Sequence, residues 1–330
     1  MKIVQVIGYF QTELGYPEAF LAKELARLGH DVCIITSDRY KTFFYSGSKS
    51  ALVGRTTNPG FYIEEGIKVW RLKSLFELHL QLWMRGLERK ILEIKPDLVI
   101  MHDICTFSAL RIARLKNHTL GFKLVYDEHM TEDNSRSPLR VLYPLFKLLF
   151  SSTIRKSADK LVAILPETRT LMHKKFGLPL DRISIIPLGA DDIRFRCEAS
   201  ARKAIRKELS IADNDVLFIY TGKIVPVKKL PTLIKAMAIL ASTHQEAKLL
   251  VLGNGPDEYM DDLKSQVQNI GLEDRILWKE AVPNDHLFQY YSAADVAVWP
   301  CGATISMREA MSCRLPIIIG QNSKVLELLE

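Results

Sequence analysis

The sequence predicts an α/β protein made of two doubly wound parallel-sheet domains. Three observations predict it. Short β-branched runs alternate with helical patterns along the whole chain, the runs are apolar enough for strands covered on both faces, and a polar segment with no sustained period interrupts the series once. With 330 residues, 48% of them apolar, the chain can bury two cores.

The first series opens with KIVQVIG (2–8) as a strand, then a helix over PEAFLAKELARLG (17–29), then the strand DVCIIT (31–36). Pro17 suits the first turn of that helix, Phe20, Leu21, Leu25 and Leu28 form an apolar stripe, and Gly29 fits its C-terminal stop. DLVIM (97–101), FKLVY (122–126), KLVAIL (160–165) and RISIIPL (182–188) continue the strands. The polar run GADDIRFRCEASARK follows, which gives domains at 1–190 and 206–330 joined by a linker at 191–205. VLFIYTG (216–222), AKLLVLG (247–253), RILWK (275–279), DVAVWP (295–300) and LPIII (315–319) are the strands of the second series. There is no repeat of 20 to 50 residues.

Bulk properties exclude several classes. A net charge of +7 and a pI near 9.0 favour phosphorylated ligands or an anionic membrane surface, but Lys and Arg are dispersed rather than clustered as in a nucleic-acid binder. Five scattered cysteines without a CxxC pair point to a reducing, cytoplasmic setting and away from zinc or redox chemistry. The N-terminal apolar run is too short for a signal peptide, and no stretch is long enough to span a membrane.

In doubly wound sheets ligands sit beyond the carboxyl ends of strands, so those loops hold the candidates. YTGKIVPVKKLPTLIKAM (220–237) turns at Gly222, offers Lys223, Lys228 and Lys229, and enters a helix through Pro231, an arrangement suited to a diphosphate or to an ordinary solvated loop. In VLGNGP, Gly253 and Gly255 allow close backbone approach, to a ligand or simply within a tight turn. No GxGxxG follows the first strand, since Gly8 and Gly15 are too far apart, which argues against a dehydrogenase. Gly15 with Glu18 offers an approach to a phosphate or an acceptor, while Glu18 also suits the helix dipole. Asp127, Glu128 and His129 follow one strand and His102 and Asp103 another, facing a cleft expected between the domains. Glu309, in a helix after the loop Cys301, Gly302, Ala303, Thr304, Ile305, is placed either to hold a ribose diol or to lie exposed on the helix, and the loop N–H groups suit a phosphate. The segment 137–160, with Arg140, Lys147, Arg155 and Lys156 among large apolar residues, suits an anionic membrane surface or a core-facing helix with a basic side. No carboxylate pair or histidine cluster marks a metal site, and no cofactor is expected.

Taken together, AFLAKELARLGHDVCIIT, IIPLGADDIRF, TGKIVPVKKLPTLIKAM, VLGNGP and REAMSCRLPIII resemble the retaining glycosyltransferases of the GT-B fold, family 4, also called group 1. The resemblance implies a sugar transferred from a nucleotide diphosphate to an acceptor hydroxyl of a glycan or lipid-linked acceptor, in glycan, lipopolysaccharide or glycolipid synthesis, without nucleic acid. It implies that Lys223 and Lys228 hold the diphosphate, that Glu309 is the second acid of the E-x7-E motif and contacts ribose, and that His129 lies near the reacting sugar. Cys301 stands where the first acid of that motif contacts donor-sugar hydroxyls, Tyr16 follows Gly15 where relatives have a second glycine, and the sequence stops at Glu330 where relatives continue. Cys301 and the early stop motivate an alternative, a catalytically weak nucleotide-sugar-binding or partner protein of the same fold. A sugar-nucleotide epimerase would need acid and base residues flanking the sugar carbon, which the sequence does not single out.

Overall fold

The computed structural model describes residues 1–12, 16–40, 55–78, 81–119, 121–131, 141, 143–301 and 305–320. The chain divides into two compact units, one running to Leu188 and the other beginning at Gly189. Among the described residues no helix is long and apolar enough to cross a membrane.

The first unit contains β1 (Lys2–Val6), α1 (Pro17–Arg27), β2 (Asp31–Ser37), β3 (Gly60–Glu64), β4 (Ile67–Leu72), β5 (Ser74–Leu78), β6 (Gln81–Met84), α2 (Leu87–Ile94), β7 (Leu98–His102), α3 (Phe107–His118), β8 (Lys123–Glu128), α4 (Tyr143–Ser157), β9 (Lys160–Ala163), α5 (Pro166–Phe176) and β10 (Ile183–Ile185). Its eight-stranded sheet runs β10-β9-β8-β7-β1-β2-β4-β3. Every neighbouring pair is parallel except β3 with β4. Val4, Val6, Ile35, Val99 and Leu124 of the central strands are fully buried, as expected of strands with helices on both faces.

Two expectations need correction here. The strands β3 to β6 fall in a stretch that the sequence reading left without elements; β3 and β4 form a hairpin whose turn, Glu65-Gly66, has φ of 45° and 81°, the left-handed pair of a two-residue hairpin turn. The stripe expected on α1 is also shifted. Glu18, Ala19 and Ala22 are buried, Leu21 and Leu25 pack at the margin of the core, and Leu28 is exposed. Small residues at the centre of this face let the helix lie close to the sheet.

The second unit contains α6 (Ala199–Glu208), β11 (Val216–Thr221), α7 (Leu230–Ala241), β12 (Ala247–Leu252), α8 (Asp257–Asn269), β13 (Ile276–Lys279), α9 (Leu287–Ala293), β14 (Val296–Trp299), α10 (Ile305–Ser312) and β15 (Ile317–Ile319). Its sheet, β13-β12-β11-β14-β15, is parallel throughout. The segment expected as an aperiodic linker is helical from Ala199. Arg202 donates to Ala293 O and Asp295 Oδ1 at 2.9 and 2.7 Å, and the buried Arg206 donates to Asp295 Oδ2 at 3.2 Å and Asp215 O at 2.7 Å, so α6 is fastened to the second unit.

Strand order fixes where a ligand finds room. In the first sheet the chain winds outward from β1 through β2 on one side and from β7 through β8 on the other, and in the second it winds outward from β11 and from β14. The crevices at the carboxyl ends of β1 and β7, and of β11 and β14, are therefore the topological switch points.

Candidate active site

At the switch point of the first unit five side chains form one chain of contacts. Gln5 on β1 places Oε1 2.8 Å from His102 Nε2; His102 Nδ1 lies 3.1 Å from Asp127 Oδ2; the same oxygen is 2.8 Å from His129 Nε2; and His129 Nδ1 lies 3.9 Å from Glu18 Oε1. Register explains the first links, because His102 pairs directly with Asp127 across β7 and β8 while β1 flanks β7 on its other side. An ionised carboxylate only accepts, so both imidazoles donate to Asp127. Burial opposes ionisation of Asp127, but hydrogen bonds from His102 and His129 hold it well below the usual carboxylate range. Burial likewise opposes the charged form of His129, yet the bond to Asp127 and the charges of Asp127, Glu18 and Asp103 raise it to about 9.

The cluster expected after FKLVY is split by the pleat of the sheet. The strand extends through Glu128, so Asp127 and Glu128 point to opposite faces. Glu128 is fully buried and accepts from the backbone N–H of Ile104 at 2.9 Å and of Met130 at 3.0 Å, which ties the loops after β7 and β8 together. Burial and the nearby Asp103 push its pKa up, against those two donors. Asp103 takes a left-handed conformation, φ 67°, and its N–H bonds Asp127 O at 3.0 Å. Glu18 is buried, and its Oε2 has no hydrogen-bond partner. Gly15 lies outside the described residues.

In the second unit the loop after β11 is zipped to the loop after β12. Gly222 N–H donates to Leu252 O at 3.1 Å and Ile224 N–H to Asn254 O at 2.9 Å. A Cβ on Gly253 would lie 1.9 Å from Gly222 O, and one on Gly255 would lie 2.0 Å from Ile224 O. Both glycines are thus required for loop-to-loop packing, which fixes the basic loop. Lys223 follows directly, and partial desolvation lowers the pKa of its ammonium although the residue is exposed overall. Lys228 is half-buried in the 3-10 turn Pro226–Lys228, and Lys229, at φ 55°, leads into α7 with Pro231 in its first turn.

Glu309 is not an exposed helix residue. It is 2% exposed and accepts from Asn284 Nδ2 at 2.9 Å; burial raises its pKa against the effects of that bond and of Arg194. Nearby, the buried Tyr291 hydroxyl bonds Thr221 Oγ1 at 2.8 Å and donates to Ser306 O at 3.1 Å, while Trp299 Nε1 donates to Thr221 O at 2.9 Å. These bonds lock the ends of β11 and β14 to the start of α10, where Ile305 stands half-buried. Cys301 follows β14 half-buried, close enough to Tyr220 to influence its hydroxyl. Gly302, Ala303 and Thr304 lie outside the described residues.

Gln5 and Asn284 were not among the sequence candidates for the site. Gln5 carried a usable signal, since a polar side chain in a strand buried on both faces must find a partner. The metal-ligand spacing absent from the sequence arises through folding, for Glu18, His102 and His129 each bring a ligand atom within 4.8 Å of the others.

The family model "Glycosyl transferases group 1" matches residues 201–330, and that of "Glycosyltransferase Family 4" matches 19–194, more than half of the chain. Among curated proteins, D-inositol 3-phosphate glycosyltransferase of Xylanimonas cellulosilytica is 25% identical over 250 residues, 73% of this chain and 54% of that protein. Mannosylfructose-phosphate synthase of Agrobacterium fabrum is 31% identical over 178 residues, 50% of this chain and 38% of that protein. The chain spans about half the length of the curated relatives first matched. Among solved structures, HepE of Anabaena in complex with UDP aligns with a TM-score of 0.72 at 18% identity, covering 100% of this chain and 83% of that one. Sucrose-phosphate synthase of Thermosynechococcus elongatus aligns at 0.65 and 18% identity, covering 96% and 80%. With both family models matched in order along the chain and the GT-B glycosyltransferases as its structural neighbours, this chain belongs to glycosyltransferase family 4 and has the GT-B fold.

Proposed function

We propose that the chain transfers a sugar, with retention of anomeric configuration, from a nucleotide diphosphate to an acceptor hydroxyl in the synthesis of a glycan, lipopolysaccharide or glycolipid. The observation that carries this reading is the burial of Glu309 at the switch point of the second unit. Glu309 holds the ribose diol, and Lys223 and Lys228 neutralise the diphosphate as it leaves. The bond from the anomeric carbon to the diphosphate oxygen breaks, the acceptor oxygen takes its place on the same face, and the acceptor proton departs with the diphosphate. His129, on the acceptor side, orients the reacting groups. UDP stands in the HepE structure and GDP-mannose in the name of one relative, which makes UDP and GDP sugars the donors to try first.

The test is calorimetric donor binding and transfer, run in parallel with UDP-glucose and GDP-mannose. His129→Ala is expected to lower turnover at least tenfold with donor affinity nearly unchanged, while Glu309→Ala weakens every donor of the same base. Loss of donor binding in His129→Ala and not in Glu309→Ala would reverse the assignment of the units. The presence of Cys301 in place of an acid supports the second reading, a protein that binds nucleotide sugar and turns over weakly; binding without transfer across a broad acceptor panel would select it.

A peripheral membrane contact is part of the proposal. One face of α4 enters the core through Tyr143, Phe146 and Ile154, while Leu145, Leu148 and Leu149 are at least half exposed beside the exposed Lys147, Arg155 and Lys156. Leucines beside cations fit the surface of an anionic bilayer. Co-sedimentation with phosphatidylglycerol vesicles should fall sharply in Leu145→Ser/Leu148→Ser, and an unchanged bound fraction would remove this contact.

A further inference from the structure

We propose that the first unit binds one divalent first-row transition-metal ion through Glu18, His102 and His129. Nothing in the proposed transfer requires such an ion, and the inference stands or falls separately from that reading. The three residues come from α1, the end of β7 and the loop after β8, and one ligand atom of each lies within 4.8 Å of the others. Two imidazoles and a carboxylate are a donor set suited to Mn²⁺, Fe²⁺ or Zn²⁺.

Three details favour a metal over a simple hydrogen-bonded cluster. Asp127 Oδ2 accepts from both rings, from His102 Nδ1 at 3.1 Å and His129 Nε2 at 2.8 Å. A carboxylate behind each imidazole is the arrangement that fixes the ring and leaves the other nitrogen for a metal. Glu18 is more than nine-tenths buried and its Oε2 is unpartnered, an uncompensated acceptor that a cation satisfies. Finally, Gln5 Oε1 stands 2.8 Å from His102 Nε2, and Gln5 Nε2 is buried without a partner. Neighbouring ligands at about 2.1 Å from an octahedral ion lie about 3 Å apart, a spacing that this pair of atoms matches. The separation of 3.9 Å between His129 Nδ1 and Glu18 Oε1 is close to that of ligands on opposite sides of such an ion.

The experiment uses the full chain stripped with a chelator and titrated with Mn²⁺ by electron paramagnetic resonance and with Zn²⁺ by calorimetry. Saturable binding of one ion per chain is expected. Glu18→Gln and His129→Ala should each weaken it at least tenfold, and Asp127→Asn, which keeps shape but spoils acceptance from two N–H groups, by about 10- to 100-fold. His118→Ala, at the far end of α3, should leave it unchanged. Circular dichroism identifies any variant that fails to fold, and the near-isosteric Glu18→Gln and Asp127→Asn pair then decides alone. No saturable binding at millimolar metal, or binding indifferent to Glu18→Gln and Asp127→Asn, overturns the proposal and leaves the cluster a hydrogen-bonded chain in which the Gln5 amide is turned to donate.

Discussion

Replacing Gly253 by alanine isolates the contact on which the basic loop depends. The added Cβ would stand 1.9 Å from Gly222 O, whereas ordinary contact begins at 3.4 Å, so that carbonyl must retreat by about 1.5 Å. The obstacle is backbone, which cannot rotate aside as a side chain does. Retreat breaks or lengthens the bonds of Gly222 N–H to Leu252 O (3.1 Å) and Ile224 N–H to Asn254 O (2.9 Å), and Ile224 is fully buried. Losing these two backbone hydrogen bonds costs about 1–3 kcal/mol.

Two other glycines separate this effect from what any Gly→Ala change does. Gly121 has no positive φ and nothing within 4 Å of a Cβ, so Gly121→Ala should fall within about 0.5 kcal/mol of wild type. Gly29 has open space too, but φ +83°, and its replacement should cost about 1 kcal/mol for the left-handed conformation alone. Urea unfolding followed by circular dichroism should therefore rank the variants Gly121→Ala, Gly29→Ala, Gly253→Ala in order of increasing loss. The displaced loop carries Lys223 and Lys228, so UDP affinity of folded Gly253→Ala should drop as well. Equal unfolding midpoints for Gly253→Ala and Gly121→Ala would refute the packing role and return Gly253 to the ligand.

Lys228→Ala should weaken UDP binding by about 10- to 100-fold and uridine binding hardly at all, as loss of a charge-assisted contact of about 1.5–3 kcal/mol requires; equal losses in calorimetry would show that the loop does not reach the phosphates. Cys301→Glu should sharpen discrimination between hexose donors that differ in one hydroxyl, because a carboxylate accepts hydrogen bonds that a thiol barely accepts; a panel of nucleotide sugars checks it, and strong discrimination already present in wild type would mean that another residue reads the sugar. Arg206→Ala removes a buried guanidinium that holds Asp295 and the carbonyls of Ala212, Asp215 and Ala293. The second unit should lose about 3 kcal/mol of stability in urea, and a loss within 0.5 kcal/mol would mean that α6 is held by its apolar contacts alone.

Much of the fold is legible because buried parallel strands announce themselves as short apolar runs, and all the runs so read are strands in the two sheets. The hairpin of β3 and β4 escaped because its strand β3, at the sheet edge, alternates exposed and half-buried residues: Phe61 and Ile63 are 48% and 60% exposed. Its Glu65-Gly66 turn was nonetheless visible in FYIEEGIKVW. The pleat was missed for a related reason. YDEHM reads as three adjacent polar candidates, yet one more strand residue sends Glu128 to the interior and leaves Asp127 with the histidines.

The candidate sites show what a linear reading cannot reach. Ends of strands are local features, and His102, His129, Lys223 and the glycines became candidates because they lie there. Which ends meet depends on strand order, and no local pattern states that β1 lies between β2 and β7 rather than at an edge. Gln5 and His102 are 97 residues apart, and Asn284 and Glu309 are 25 apart with α9 and β14 between them. Burial then changes the meaning of a residue already noticed. Glu18 at the start of α1 reads as a favourable partner for the helix dipole, which would hold equally in water; an enclosed carboxylate with one oxygen unpartnered is instead an unmet electrostatic demand. The same holds for Glu309, whose interior position turns an ordinary helix residue into a carboxyl group whose ionisation burial opposes. In both units the residue that sequence alone leaves ambiguous is a carboxylate at a helix beside a switch point, and the ambiguity ends only when the strand order shows that it is buried there.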